Sequence, residues 1–396
     1  MADRTPFPLG ALALLAAAIF VCVTCEFLPT GLVPEMAAEL GVSESRIGLL
    51  VTAFAATVAV STAPLTIITR ALPRKPLMVG LLVVFAASAL LAAIAPSYEL
   101  VVVSRVLGGL AHGLFWAVTG PYASHLVDPA QLARALAVTG AGVTLAFILG
   151  VPIVSAIGQA LTWRWAFAVV ALAVLVVAAV IVVVLPSVQH LVEGGARRPA
   201  RRDPTLGAVV VVCIAVVLVM AGHSILYTFI APWLLGAGIA PESVPALLLA
   251  FGVAGAVGLA LAGVLGDRFP RATICTLVLA LALSVLALRA AVDSPELLAV
   301  CVVLWGMSFG GIPSMFYARN LQVASPAIRD LAAAWITTAF NVAIGGGALV
   351  GSLLLDRYGL DSLPVTLVAV VSVGLVFVVV TSARAVVSRP APPGSS

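Results

Sequence analysis

Glu26 is the only acidic residue deep within an apolar run, and the uncharged stretch Leu9 to Cys25 leads up to it. A charge at the centre of a membrane helix costs on the order of 2.5 to 3.5 kcal/mol, so a carboxyl placed there usually faces a cavity and exchanges a proton. The plainer reading is that Glu26 lies near an outer interface, because Pro34 opens an acidic loop shortly after it. Arg105 is the only basic residue well inside a run. On a helix Arg105, Gly109, His112, Trp116 and Gly120 fall along one narrow stripe. Arg105 would either answer the protonation of Glu26 or hold polar backbone groups, unless it snorkels toward headgroups near Glu99. His112 could join the proton path, since imidazoles as a class exchange protons near neutral pH, or it could simply hydrogen-bond a neighbouring helix.

His223 and Tyr227 stand one helical turn apart, as do Thr337 and Asn341. With Trp116, Trp305, Phe309 and Phe340 they could line an apolar pocket for an amphipathic or aromatic ligand, the alternative for each aromatic being ordinary packing. The five cysteines all lie in apolar runs. Cys22 and Cys25 form a C-x-x-C with no strand context, so they read as small packing groups. No His, Cys, Asp and Glu cluster has metal-ligand spacing and no phosphate-binding loop occurs, so neither a metal nor another cofactor is expected. An enzyme would need a nucleophile or paired carboxylates at one depth. The runs offer Glu26 alone.

The chain that must position these groups has 396 residues, 63% hydrophobic and 9% charged. Soluble domains carry about a quarter charged residues, so this composition describes a membrane protein and excludes nucleic-acid binders and extracellular disulfide scaffolds. Six charge-poor stretches run Leu9 to Cys25, Ile47 to Thr69, Pro76 to Tyr98, Leu100 to Ser124, Ala135 to Trp163 and Trp165 to Gln189. Six more run Thr205 to Pro232, Ser243 to Gly266, Ala272 to Leu288, Leu297 to Ala318, Leu331 to Leu355 and Ser362 to Ala383. Runs of this length must be helices, because hydrocarbon offers the backbone no partner. The first could imitate a secretory signal, but it reads as a retained helix.

Placing the N-terminus in the cytoplasm puts fifteen of the twenty basic residues inside, leaving Arg46, Arg164, Arg289 and Arg357 outside and Arg105 in the membrane. That asymmetry predicts a multi-pass protein of the plasma or inner membrane with both termini cytoplasmic. A polar segment at 187–204 reads as a cytoplasmic linker between a first bundle at 1–186 and a second at 205–387, with a tail at 388–396. The halves also repeat at an offset of 197 residues. Gly109 and Gly113 fall onto Gly306 and Gly310, Pro73 and Arg74 onto Pro270 and Arg271, Pro129 onto Pro326, and Glu26 onto His223. Asp128 and Ser325, each before a proline, read as helix caps. The fold class is therefore all-α and polytopic, with twelve transmembrane helices in two pseudo-symmetric six-helix bundles.

Particular motifs carry a family likeness along essentially the whole chain. Thr24-Cys25-Glu26-Phe27-Leu28-Pro29-Thr30-Gly31 resembles an acidic first-helix signature, and Arg105-Val106-Leu107-Gly108-Gly109-Leu110-Ala111-His112-Gly113 resembles a membrane-embedded arginine motif. Leu149-Gly150-Val151-Pro152 is similar to a glycine-proline antiporter motif, with Val151 interrupting the usual Gly-Pro pair. The chain thus resembles the major facilitator superfamily, and within it the drug and sugar efflux group related to arabinose-efflux permeases and proton-coupled multidrug antiporters. The resemblance implies a monomeric transporter in the lipid bilayer that exports a drug-like or sugar-like molecule against protons, with Glu26, Arg105 and His112 coupling the two. It also implies gating and sliding roles for Gly109, Gly113, Gly150 and Pro152. The Thr69–Lys75 loop lacks the family's acidic residue and glycines, so gating would lean on Asp267, Arg268 and Arg271 in Gly266-Asp267-Arg268-Phe269-Pro270-Arg271. The rival readings are a proton symporter or uniporter on the same fold and, from another class, a polytopic membrane enzyme.

Overall fold

The computed structural model describes residues 7–128, 131–187 and 203–387. Among the described residues twelve helices are long and apolar enough to cross a bilayer: α1 Leu9–Gly31, α2 Glu44–Ile68, α3 Arg74–Ile94, α4 Tyr98–His125, α5 Arg134–Ala160, α6 Trp163–Val184, α7 Leu206–Tyr227, α8 Pro241–Arg268, α9 Pro270–Ala290, α10 Pro295–Val323, α11 Leu331–Tyr358 and α12 Ser362–Val379. Arg4, Pro129, most of the 187–204 segment, Arg389 and the 388–396 tail lie outside the described residues. With an even number of crossings among the described residues, the first and last of these residues lie on one side, called here the terminal side.

Side chains facing away from the bundle are apolar, as a lipid solvent requires: Leu172 and Val183 of α6 are both exposed. Between helices the contact residues are small, because without a hydrophobic drive helices associate through close backbone packing. A Cβ on Gly109 of α4 would stand 2.8 Å from the Phe54 carbonyl oxygen of α2, and one on Gly306 of α10 would stand 2.3 Å from that of Phe251 in α8. Phe54 and Phe251 are separated by the same 197 residues as the glycines, so the repeat extends to individual contacts. It also produces two short helices, Val33–Leu40 after α1 and Ile230–Gly236 after α7, at equivalent positions. Hydropathy alone merges the second into its span.

Two irregularities have local causes. Residues Ala146–Gly150 in α5 form a π turn. Pro152 follows it and has no N–H for the Ile148 carbonyl, and an extra residue in the turn relieves that mismatch. Before α11, Ser325 does not cap the helix as its place before a proline suggested. A turn over Pro326–Ile328 intervenes, and the regular helix begins at Arg329. The Ser325 hydroxyl instead donates to the Asp203 carboxylate at 2.6 Å, and the Thr205 backbone N–H joins it at 2.8 Å. These bonds hold the Asp203 carboxyl below the usual carboxylate range.

The two halves touch on the side away from the termini. There the Ser45 hydroxyl donates to Asp356, and the Thr52 hydroxyl donates to the Gly345 carbonyl at 3.0 Å. Gly48 admits the Phe229 ring, and Gly252 lies against the Phe147 carbonyl in the π turn. Toward the terminal side α2 and α11 present Val60, Ile67, Ile68 and Trp335 as exposed side chains. The hydrogen bonds and close glycine contacts that join the halves here thus lie toward the far side.

Candidate functional site

The end of α1 explains where Arg105 goes. Pro29 has no N–H to offer the Cys25 carbonyl, and the chain tightens into a 3-10 turn at Leu28–Gly31. The carbonyls of the last α-helical turn need outside donors. Arg105 reaches across from α4 and supplies them, Nη1 to the Cys25 oxygen at 3.0 Å and Nη2 to the Glu26 backbone oxygen at 2.8 Å. Its guanidinium lies 4.2 Å from the centre of the Phe54 ring, and the residue is 3% exposed. Arg105 is thus a clamp on backbone. It makes no hydrogen bond to the Glu26 carboxylate and does not snorkel outward.

The Glu26 carboxyl faces His112, with Oε2 3.3 Å from imidazole Nε2. Glu26 is 6% exposed and His112 2%, so the pair lies in neither lipid nor open water. One turn nearer the terminal side, the half-buried Trp116 donates its indole N–H to the same His112 Nε2 at 2.7 Å. Phe54 and Phe85 wall the imidazole with ring centroids at 5.2 and 5.8 Å. Phe27, next to Glu26, touches Phe147 of α5 and Tyr227 of the second half at 5.0 and 6.2 Å. Gly150 brings α5 against α1 just ahead of the acid, where a Cβ would stand 2.0 Å from Thr24 Oγ1.

The second half repeats this geometry with different chemistry. His223 replaces Glu26 and Phe309 replaces His112, and their rings stack with centroids 3.5 Å apart and 9° between planes. Trp305 donates its indole N–H to His223 Nδ1 at 3.2 Å, and Tyr227 stacks on the other side at 5.0 Å. Phe251 completes the cluster. These side chains are packed together: His223, Tyr227, Trp305 and Phe309 are all buried, with Trp305 at 0% exposure. Thr337 is exposed and Phe340 and Asn341 half-buried, while Thr337 Oγ1 and Asn341 Nδ2 bond carbonyls of their own helix. The expected pocket aromatics therefore separate into a closed cluster and a few accessible residues.

Sequence reasoning missed Phe54, Phe251, Phe85 and Phe27. The repeat offset links the first two and could have revealed them. It also missed the Ser45–Asp356 contact, which no local pattern signals. Asp267 and Arg268 are exposed on the terminal side and Arg271 is half-buried. Asp267 makes no ion pair among the described residues, and Arg268 lies over the neighbouring Phe269 ring at 5.3 Å. The Lys75 ammonium, in the loop lacking the family's acid, donates instead to the Leu185 carbonyl ending α6. Grooves of about 670 Å³ among α8, α9 and α10 and about 380 Å³ between α7 and α11 contain no residue of the Glu26 group. Among the described residues no group of three or more His, Cys, Asp or Glu side chains could hold a metal.

A family model described as Major Facilitator Superfamily matches residues 15–212 and again 212–396, two segments beginning one repeat apart. Among solved structures, the chain is similar to a bacterial homolog of the human lysosomal transporter Spinster in an inward-facing, unoccupied conformation. The TM-score is 0.78 at 14% identity, covering 98% of this chain and 100% of that one. It is also similar to a D-xylose-proton symporter, with TM-score 0.78, 15% identity and coverage of 93% and 97% respectively. For the nucleoside transporter NupG, in a mutant form, the values are 0.73, 14%, 95% and 99%. At these identities the likeness is one of fold.

Proposed function

We propose that this chain, which belongs to the major facilitator superfamily and is accordingly a multi-pass membrane transporter rather than an enzyme, exports a drug-like or sugar-like small molecule in exchange for protons. The observation that carries this reading is the buried contact between Glu26 and His112, at the depth where Phe27 meets Tyr227 of the opposite half. The Glu26 carboxyl faces one imidazole while the nearby Arg105 is engaged by backbone oxygens, so taking up or losing a proton changes what that imidazole can do. One proton moving down 100 mV releases about 2.3 kcal/mol, enough to sustain a roughly fortyfold cargo gradient.

The arginine asymmetry supports a cytoplasmic terminal side at the plasma or inner membrane, with the present conformation open inward. In the cycle, Glu26 loses its proton to the cytoplasm and cargo enters between the halves. The terminal side then closes through Asp267, Arg268 and Arg271, and the far-side contacts around Gly48, Gly252 and Asp356 part. Within the first bundle Gly109 and Gly113 give α4 a thin face against α2 and Gly150 gives α5 one against α1, along which these helices slide, and Pro152 follows the π turn that bends α5.

The test is flux in proteoliposomes with an imposed pH gradient, using cargo found by challenging an overexpressing strain with antibiotics, dyes and sugars. Antiport requires cargo and protons to move in opposite directions. Movement in the same direction would make the protein a symporter, and flux indifferent to the gradient would make it a uniporter.

A further inference from the structure

We infer that Trp116 reads the protonation state of Glu26, and that its indole N–H is a cargo-binding donor presented only when the proton has left. This rests on the proton-exchange reading above. The observation is a conflict over one atom. His112 Nε2 receives the Trp116 N–H at 2.7 Å and faces Glu26 Oε2 at 3.3 Å. Nε2 holds either a lone pair or a proton and cannot serve both partners equally. With the lone pair there, Trp116 is satisfied, and the carboxyl must carry a proton to avoid setting two acceptors against each other. With a proton on Nε2, the imidazole donates to the Glu26 carboxylate, and the indole N–H loses its acceptor.

The remainder of the pocket offers no compromise. His112 Nδ1 is buried and has no hydrogen-bond partner among the described residues, so no second acceptor fixes the tautomer. The surrounding elements present few competing groups. Cys22 and Cys25 lie on α1 with Glu26, and Arg105 on α4 is occupied by the Cys25 and Glu26 backbone oxygens. Phe54 and Phe85 are what α2 and α3 place against the imidazole, α5 and α6 have no titratable residue at this depth, and the opposite half brings Tyr227 and His223 beyond Phe27.

The step balances on one proton. Glu26 passes it to His112 Nε2 while Nδ1 yields its own proton to water entering from the open side, so one proton leaves and the imidazole stays neutral. The half-buried indole then turns its N–H to the opening, where a cargo molecule with an aromatic face and a hydrogen-bond acceptor can take it. Reprotonation of Glu26 restores Nε2 as an acceptor, draws the indole back and expels the cargo.

Two variants test this: Trp116→Phe, and replacement of Trp116 by its benzothiophene isostere, which keeps the shape and removes only the N–H. Cargo binding is measured against pH at low cargo concentration. Both variants should move the binding midpoint to lower pH by roughly 0.5 to 1 unit, because of the two cargo-free states only the protonated one loses a hydrogen bond. Both should also weaken binding about three- to tenfold at high pH. The indole ¹⁵N–H resonance missing from the isostere should shift with pH in the unmodified protein and stay fixed in Glu26→Gln. A midpoint that does not move, or an indole signal indifferent to pH, overturns the assignment to Trp116. If Glu26→Gln keeps a normal pH dependence, the proton-exchange reading itself fails, whatever Trp116 does.

Discussion

Replacing Arg105 distinguishes a clamp on the backbone from a counter-ion for Glu26. Arg105→Leu would strand the Cys25 and Glu26 carbonyl oxygens, each now bonded at 3.0 Å or less inside the bundle. Leaving a buried acceptor unmet costs about 1 to 3 kcal/mol, and losing the cation from the Phe54 ring adds about 0.5 to 2. Relief from burying a guanidinium offsets part of this, so the expected net loss is about 2 to 4 kcal/mol. Arg105→Lys should cost roughly half as much, since one ammonium cannot fork to two carbonyls. The assay is unfolding in detergent, read by temperature and by maleimide labelling of Cys25, which is 2% exposed and should become reactive as the end of α1 loosens. The same loss should appear when Glu26 is already Gln, because the bonded atoms belong to the backbone. A loss that vanishes in the Glu26→Gln background, or no loss in either, refutes the reasoning.

Four other outcomes are expected. Glu26→Gln should leave cargo binding measurable while abolishing flux driven by a pH gradient in proteoliposomes; full drive would remove Glu26 from the proton path. Gly252→Leu would force a side chain into a site where even a Cβ stands 2.3 Å from the Phe147 carbonyl oxygen. It should open the far side, increasing labelling of cysteines introduced there, at a cost of about 1 to 3 kcal/mol to the present conformation. Asp267→Asn should leave stability unchanged yet slow turnover and alter labelling of terminal-side cysteines during transport. The bonds to Asp203 make its contribution to stability complete above the unfolded carboxyl value of 3.8, and that contribution disappears as pH falls through the lower folded value. Asp203→Asn should therefore lower the neutral plateau of a stability–pH curve and flatten its acid limb, leaving stability below the folded carboxyl value unchanged.

The twelve spans and the repeat were legible because hydrocarbon permits only long apolar helices and because duplication leaves matched glycines at one offset. Partner choice was less legible. Nothing in the spacing of Arg105 says that it bonds backbone, although Pro29 already indicates that the Cys25 carbonyl lacks a donor. The burial of Trp305 and Phe309 could not be read either, since an aromatic facing a cavity and one facing another ring have the same helical period. The short helices Val33–Leu40 and Ile230–Gly236 were hidden by the apolar residues around them, and their matching positions were the overlooked clue.

The stacked His223 and Phe309 stand in the second bundle where Glu26 and His112 stand in the first. One bundle sets a carboxyl against an imidazole and the other an imidazole against a phenyl ring, so on the proton-exchange proposal the drive would come from one wall of the machine while the other serves as ballast. The swap His223→Glu with Phe309→His would install a second burner on the same scaffold. Such a transporter would consume two protons per turnover, and its cargo gradient would rise with the square of the driving ratio.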